Sequence, residues 1–421
     1  MSVEKKVPEI RFKGFSGEWD KKLLGELVQL ENGFAFQSRY FKKSPTEVIV
    51  LTPGSVNIGG GYQAGKGQYY DVKQQVSPRY IFKPDDMFIT MTDLTPTAQA
   101  LGFPAVIPRD NNTYLHNQRL GKLVGFKGNS GFLYNLLCTP RKQKEVVSTS
   151  SGTTVKHTSP DKFLNRFCFF PETEEQTQIG NTFQKLDNLI NQHQQKHDKL
   201  SNVKKAMLEK MFPKQGETIP EIRFKGFSGE WEVKPLSEVA EVIDPHPSHR
   251  APDAVENGVP FIGIGDISDS GLVDFKNVRI VPLHIYNEHS ARYTIENGDF
   301  AYGRVASVGK IIDLSNNVGN RYTYSPTMAI VKPKSLRPAF LKSYLGTDVF
   351  KAHVDNNTSG STRKSLGVQD FRNLPVLFPL VDEQTAIGSY FQKLDALLNQ
   401  HQQQITKLNN IKQACLSKMF V

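Results

Sequence analysis

Cysteine is scarce in this sequence. Cys138, Cys168 and Cys415 are odd in number and show no Cys-x-x-Cys or Cys/His ligand spacing. Neither a disulfide framework nor a structural zinc is therefore expected, and a reducing cytoplasmic setting is. No uncharged apolar run approaches the ~18–20 residues of a membrane span. No apolar stretch follows Met1–Lys6, so no secretory leader is expected. Nucleophile elbows, HExxH helices and EF-hand loops are missing too. Gly303–Lys310 reads GRVASVGK, with five residues between the glycines and Ile311 after the lysine. A phosphate loop needs about four residues there and Ser or Thr after the lysine. Phe261–Gly265 (FIGIG) and Asp244–Pro247 (DPHP) only approach the cofactor loop and catalytic box of S-adenosylmethionine-dependent methyltransferases. Such a box needs an aromatic side chain where Pro247 stands, to stack on an extruded base. The Asp85-Asp86 pair precedes a strand and reads as turn chemistry.

What is present is an ordinary soluble composition: 38% hydrophobic, 22% charged and a net charge of +10 over 421 residues. That length predicts two to four domains. The charge invites a polyanion partner, but it is uneven. Residues 20–174 hold 19 Lys/Arg against 13 Asp/Glu, whereas residues 232–382 hold 16 against 17. If the second block binds DNA, its cations must be clustered on one face.

The chain is a tandem repeat. Pro8–Trp19 (PEIRFKGFSGEW) recurs letter for letter at Pro220–Trp231. Residues 175–212 recur at 383–420, with 25 of 38 positions identical. Between these segments the halves diverge, so one frame presents two unlike inserts. The expected division is residues 1–174, a central helix at 175–212, residues 213–382, and a C-terminal helix at 383–421. The expected fold is α+β: two globular α/β blocks separated by long helices that pair as an antiparallel coiled coil.

The helices are read from spacing. Apolar residues three and four apart mark a coiled-coil seam. In the first copy they are Ile179, Phe183, Leu186, Ile190, Leu200, Val203, Met207 and Met211, with His193 in the same stripe. In the second they are Ile387, Phe391, Leu394, Leu398, Ile405, Leu408, Ile411, Cys415 and Met419, with His401. The histidines read as polar register marks; a metal or pH switch is the alternative. A helix of this length spans roughly 50 Å. The variable blocks carry short β-type runs, such as Glu47–Leu51 and Met328–Val331, and helical patches at Gly131–Cys138 and Ala339–Val349.

DNA-type chemistry is richest in loops, where Lys, Arg, Ser and Thr suit phosphates and Arg, Asn and Gln suit base edges. The candidates are Arg39, Lys42, Lys43, Lys66, Arg119, Thr153, Thr154 and Lys156 in the first block. In the second they are Arg250, Arg304, Lys310, Arg321, Ser361, Thr362, Arg363 and Lys364. The turns around Thr153 and Ser361 occur in both blocks and suit a phosphate-facing role.

The repeated dodecapeptide, the EQT-IG-FQKLD helices and SGSTRKSLGVQDFRNLPV at Ser359–Val376, with its relative at Ser151–Phe167, together resemble the specificity subunit of type I restriction–modification systems. The resemblance covers the whole chain. It implies that each variable block is a target recognition domain reading one half of a bipartite double-stranded DNA site. The helices would space the domains and dock two methyltransferase subunits, with restriction subunits completing the complex. It implies no catalytic residue or cofactor in this chain; S-adenosylmethionine, ATP and Mg would sit on the partners. The readings left beside it are a self-contained methyltransferase and a coiled-coil scaffold that binds only proteins.

Overall fold

The computed structural model describes residues 6–95, 97–248, 250–268, 271–360 and 363–421. The expected DNA contacts Ser361 and Thr362 lie outside the described residues. Two compact units emerge: Met1–His193 with Gln403–Val421, and Gln194–Gln402. The division differs from the linear one expected, because each unit takes in a stretch of each long helix. Those helices are Thr173–Lys210 and Val381–Lys418.

In the first unit, strand Asp20–Leu23 pairs antiparallel with Phe167–Phe170. A four-stranded antiparallel sheet runs in the order Gln29–Asn32, Leu120–Val124, Met87–Thr90, Pro104–Val106. A three-stranded sheet has Val48–Val50 between Gln68–Tyr69, antiparallel, and Thr113–Leu115, parallel. Asn129 starts helix Ser130–Leu137 by accepting the Phe132 N–H, and Thr139 with Pro140 starts Pro140–Ser148.

The second unit repeats this plan strand for strand. Glu232–Pro235 pairs with Pro375–Phe378. The four-stranded order is Ala240–Ile243, Met328–Pro333, Phe300–Gly303, Ile311–Asp313. Val259–Ile262 again lies between an antiparallel strand, Arg279–Val281, and a parallel one, Thr323–Tyr324. Helices Pro338–Leu345 and Asp348–Asn356 follow. The expected single patch Ala339–Val349 is thus divided, at Gly346-Thr347, where Thr347 caps the second helix. Helix Leu283–Arg292 is an addition that the corresponding stretch of the first unit lacks.

The repeated dodecapeptide acts as a clamp on the long helices. Arg11 forks onto Glu175, with Nε–Oε1 at 2.7 Å and Nη2–Oε2 at 2.6 Å, and its Nη1 donates to the Gly17 carbonyl. Glu175 is 1% exposed, so its charge is compensated by this pair. The Ile10 N–H donates to the Lys418 carbonyl at 3.0 Å, satisfying the C-terminal end of the other long helix. Trp19 stacks edge-on against Phe132 and Phe420. The second unit does the same. Arg223 forks onto Glu383 at 2.7 Å, Ile222 N–H donates to the Lys210 carbonyl at 2.8 Å, and Trp231 meets Phe212 and Phe340.

Gly180 and Gly388 let the long helices close onto their units. A Cβ at Gly180 would lie 2.2 Å from Asn129 Oδ1, and one at Gly388 would lie 3.0 Å from Ala339 Cβ and from Phe340 N. The neighbouring glutamines complete the junction: Gln176 Oε1 accepts from Asn129 N–H at 3.2 Å, and Gln384 Oε1 from Arg337 N–H at 3.0 Å.

Within each unit the helix stretches pair antiparallel. In the first, Asp187 meets Lys412 at 2.6 Å and Phe183 meets Phe420. In the second, Asp395 meets Lys204 and Phe391 meets Phe212. The expected seam residues are buried or half-buried, with Ile411 the departure at 40% exposed. Leu416, unassigned from spacing, is buried at 3%. Among the described residues no group of three His, Cys, Asp or Glu could hold a metal ion, and His193 and His401 are half-buried.

Candidate nucleic-acid interface

In the first unit Arg119 and the hairpin carrying Thr153, Thr154 and Lys156 meet around the end of strand Met87–Thr90. Met91 N–H donates to the Arg119 carbonyl at 2.9 Å, and Thr158 N–H donates to the Met91 carbonyl at 3.0 Å. Met91 therefore ties the Arg119 turn to the hairpin carrying Thr153, Thr154 and Lys156. That hairpin is closed by reciprocal Ser151–His157 bonds at 2.9 and 3.0 Å, with Gly152 at φ +94°. Thr153 and Thr154 are exposed at its tip, and Lys156 is half-buried opposite Asp93.

Arg119 lines a hollow of about 510 Å³ with Phe36, Phe41, Thr52, Gln118 and Leu94. Lys66 is exposed beside it, its carbonyl accepting from Thr52 Oγ1 at 2.8 Å. Arg39 lies over the Tyr40 ring at 4.7 Å. Lys42 pairs with Asp71 at 2.9 Å, and Lys43 is exposed. The Lys73 amide and then the Lys42 ammonium hold the Asp71 carboxyl below its ordinary range. A larger hollow, about 680 Å³, lies against the clamp and includes Arg11, Phe15, Glu172 and Gln176. None of the expected DNA residues lines it.

The second unit corrects one expectation. Arg304 is only 6% exposed. Its Nη1 donates to the Leu366 carbonyl at 3.0 Å, and its Nη2 donates to the Pro326 carbonyl at 3.1 Å and reaches Asp244 at 3.4 Å. Burial lowers its pKa, against the opposing pull of Asp244. Arg304 is thus an interior tie among three loops, with no guanidinium face left for DNA. Lys310 is also turned to its own unit, donating to the Ile267 carbonyl at 2.9 Å. Arg250, Arg321, Arg363 and Lys364 are exposed, Lys364 in an ion pair with Asp355 at 2.8 Å. The Arg304 tie brings the loops bearing Arg250 and Arg363 to one place. Arg321 belongs to a separate loop.

Sequence reasoning missed the buried groups beneath these loops. His246 Nε2 bonds the Arg250 carbonyl at 3.1 Å, its Nδ1 meets His289 Nε2 at 3.0 Å, and His289 Nδ1 meets the Tyr293 hydroxyl at 3.3 Å. Burial, then His246, pushes the His289 pKa down to about 4. The signal was absent from spacing because His246 and His289 are 43 residues apart. Gln118, next to the expected Arg119 and lining the same hollow, was not among the expected residues.

Fold and loops together define a tandem reader: one backbone plan used twice, with basic and amide-bearing loops that differ between copies. The family of the type I restriction modification DNA specificity domain matches residues 16–202 and 228–410. The chain belongs to this family and carries its domain twice. It is 22% identical to the EcoBI specificity subunit of Escherichia coli over 427 residues, covering 96% of this chain and 85% of that one. It is also 22% identical to the MjaVIII specificity subunit of Methanocaldococcus jannaschii over 296 residues, 68% and 69% of the two chains. In fold it resembles the type I restriction–modification S subunit from M. genitalium, with TM-score 0.63 and 13% identity over 99% of both chains. A chain from a structure of type I complex assembly and conformational transition aligns with TM-score 0.51 and 17% identity over 94% and 96%. Among the described residues, no helix is long and apolar enough to cross a membrane.

Proposed function

We propose that this chain is the non-catalytic DNA-specificity subunit of a type I restriction–modification complex, with each unit reading one half of a bipartite site. The observation that supports this reading is the strand order that the four-stranded and three-stranded sheets of the two units share, with loops that differ in chemistry. A shared backbone holds the readers in like fashion, and unlike loops let them read different bases. The exposed cations Arg39, Lys43, Lys66 and Arg119 in the first unit, and Arg250, Arg321 and Arg363 in the second, supply phosphate and base contacts. Two methyltransferase subunits dock on the long helices, and restriction subunits complete the complex. S-adenosylmethionine, ATP and Mg belong to those partners.

The test is exchange of residues 20–150 for the matching block of another family member, followed by genome-wide mapping of methylated sites. One half of the motif changes and the other stays. Change in both halves, or in neither, sinks the modular reading. A scaffold that binds only proteins would show no fall of log K with log salt on DNA. A self-contained methyltransferase would bind S-adenosylmethionine as the isolated chain.

A further inference from the structure

Both units build the same small frame at the end of the third strand of the four-stranded sheet. In the first, Met91 N–H donates to the Arg119 carbonyl and Thr158 N–H to the Met91 carbonyl, at 2.9 and 3.0 Å. In the second, Arg304 N–H donates to the Thr327 carbonyl and Leu366 N–H to the Arg304 carbonyl, at 2.8 and 2.9 Å. The turns Asn117–Arg119 and Ser325–Thr327 therefore occupy equivalent places. Their contents are opposite in kind.

The second-unit turn is closed on itself. The Ser325 and Thr327 hydroxyls bond each other at 2.6 Å, Thr327 Oγ1 also accepts from Ile264 N–H at 3.1 Å, and Pro326 has no polar side-chain atom. The first-unit turn is equally stiff in its backbone. Gln118 N–H donates to the Phe34 carbonyl at 3.1 Å, Leu120 N–H to the Asn117 carbonyl at 3.0 Å, and Arg119 N–H to Asn117 Oδ1 at 2.9 Å. A Cβ at Gly33 would lie 2.3 Å from the Asn117 carbonyl oxygen, so the neighbouring strand presses directly on the turn. Yet the Gln118 and Arg119 side chains are exposed and make no hydrogen bond or ion pair among the described residues.

Leu94 joins them on the same hollow and is 63% exposed. Its loop is pinned from below by Asp93, only 4% exposed. Asp93 Oδ1 accepts from Thr95 N–H at 2.7 Å and from Thr95 Oγ1 at 2.8 Å, and Oδ2 accepts from Ala100 N–H at 2.5 Å. A rigid backbone thus presents a free amide, a free guanidinium and a bare apolar side chain around one concavity.

We infer that Gln118, Arg119 and Leu94 are the base-reading residues of the first unit, and that Asn117 and Asp93 position them. The inference rests on the DNA-reading function proposed above. Gln matches adenine N6 and N7, Arg matches guanine O6 and N7, and an apolar side chain meets the thymine methyl. A stiff frame removes the cost of ordering the backbone on binding, and the side chains give up only their own rotamer freedom. The second unit, with its equivalent turn closed, reads bases through other loops.

The test maps methylated motifs in cells supplying the partner subunits, with the parent chain or with Gln118→Ala, Arg119→Ala or Leu94→Ala. Arg119→Ala relaxes one G·C position and Gln118→Ala one A·T position, each by roughly 10- to 100-fold, within the same half-site. The other half-site stays intact, which shows that the chain is folded and assembled. Where Arg119→Ala abolishes methylation, Arg119→Lys carries the test, since it keeps the charge and loses the planar fork. Its guanine preference should drop while methylation persists. Motifs unchanged in all variants would overturn the inference and leave the DNA-reading function standing. A parent chain that yields no bipartite motif would overturn that function and the inference with it.

Discussion

Removing Glu175 tests whether the repeated dodecapeptide clamps the long helices. Glu175→Ala deletes two charge-assisted hydrogen bonds from Arg11, each worth ~1.5–3 kcal/mol. Loss of one member of a buried pair is typically ~3–5 kcal/mol. Arg11 retains 14% side-chain exposure and can regain some hydration, so the lower end, ~3 kcal/mol, is expected. At about 2–4 °C per kcal/mol for a unit of this size, the melting transition of the first unit falls by roughly 6–12 °C. Scanning calorimetry reads this directly. The equivalent Glu383→Ala should lower the other unit's transition instead. Lys412→Ala breaks the more exposed pair with Asp187 and should shift the first transition by less than ~1 kcal/mol. The double replacement Arg11→Met with Glu175→Met should be less damaging than Glu175→Ala, because the uncompensated charge is gone. A loss under ~1 kcal/mol for Glu175→Ala, or a double variant as weak as the two singles summed, refutes the clamp.

Gly180→Ala puts a methyl within 2.2 Å of Asn129 Oδ1, so either Asn129 gives up its bond from Phe132 N–H or the helix shifts; urea denaturation should show ~1–3 kcal/mol lost. His116 is 1% exposed, and burial lowers its pKa to about 4. The unfolded chain takes up a proton near pH 6.5 and the folded one does not, so stability falls from pH 6.5 down toward pH 4. The slope is at most about 1.4 kcal/mol per pH unit for this group, and it should flatten in a His116→Gln variant that still folds. Inserting or deleting one or two helical turns within Leu186–Val203 should change the length of the unread spacer in the methylated motif; an unchanged spacer removes helix length as its determinant.

The repeat, the α+β class and the long helices were legible because they depend on local spacing. Ile179, Phe183 and Leu186 recur at three and four residues, and that period means a helix whatever it packs on. The same period could not separate Ile411 from Leu416. Both fit an apolar stripe, and only the neighbouring surface decided that Ile411 stays exposed while Leu416 is buried. Arg304 was misread for a similar reason. An arginine in a glycine-bearing turn looks like a phosphate ligand until its partners, the Leu366 and Pro326 carbonyls and Asp244, come from three other segments.

The dodecapeptide marks the boundary between the two kinds of information. By itself the sequence determined that PEIRFKGFSGEW recurs letter for letter and that two like frames carry unlike inserts. It also placed the chain by resemblance in the family that the domain match confirms. Tertiary structure alone decided what the repeated letters do. Arg11 meets Glu175 across 164 residues, Ile10 closes a helix end at Lys418, and the Gln118–Arg119 turn stands open where Ser325–Thr327 is shut. Periodicity is a property of neighbours along the chain. Partnership, burial and the freedom of a side chain are set by segments far apart in sequence, and they exist only once the backbone has brought those segments together.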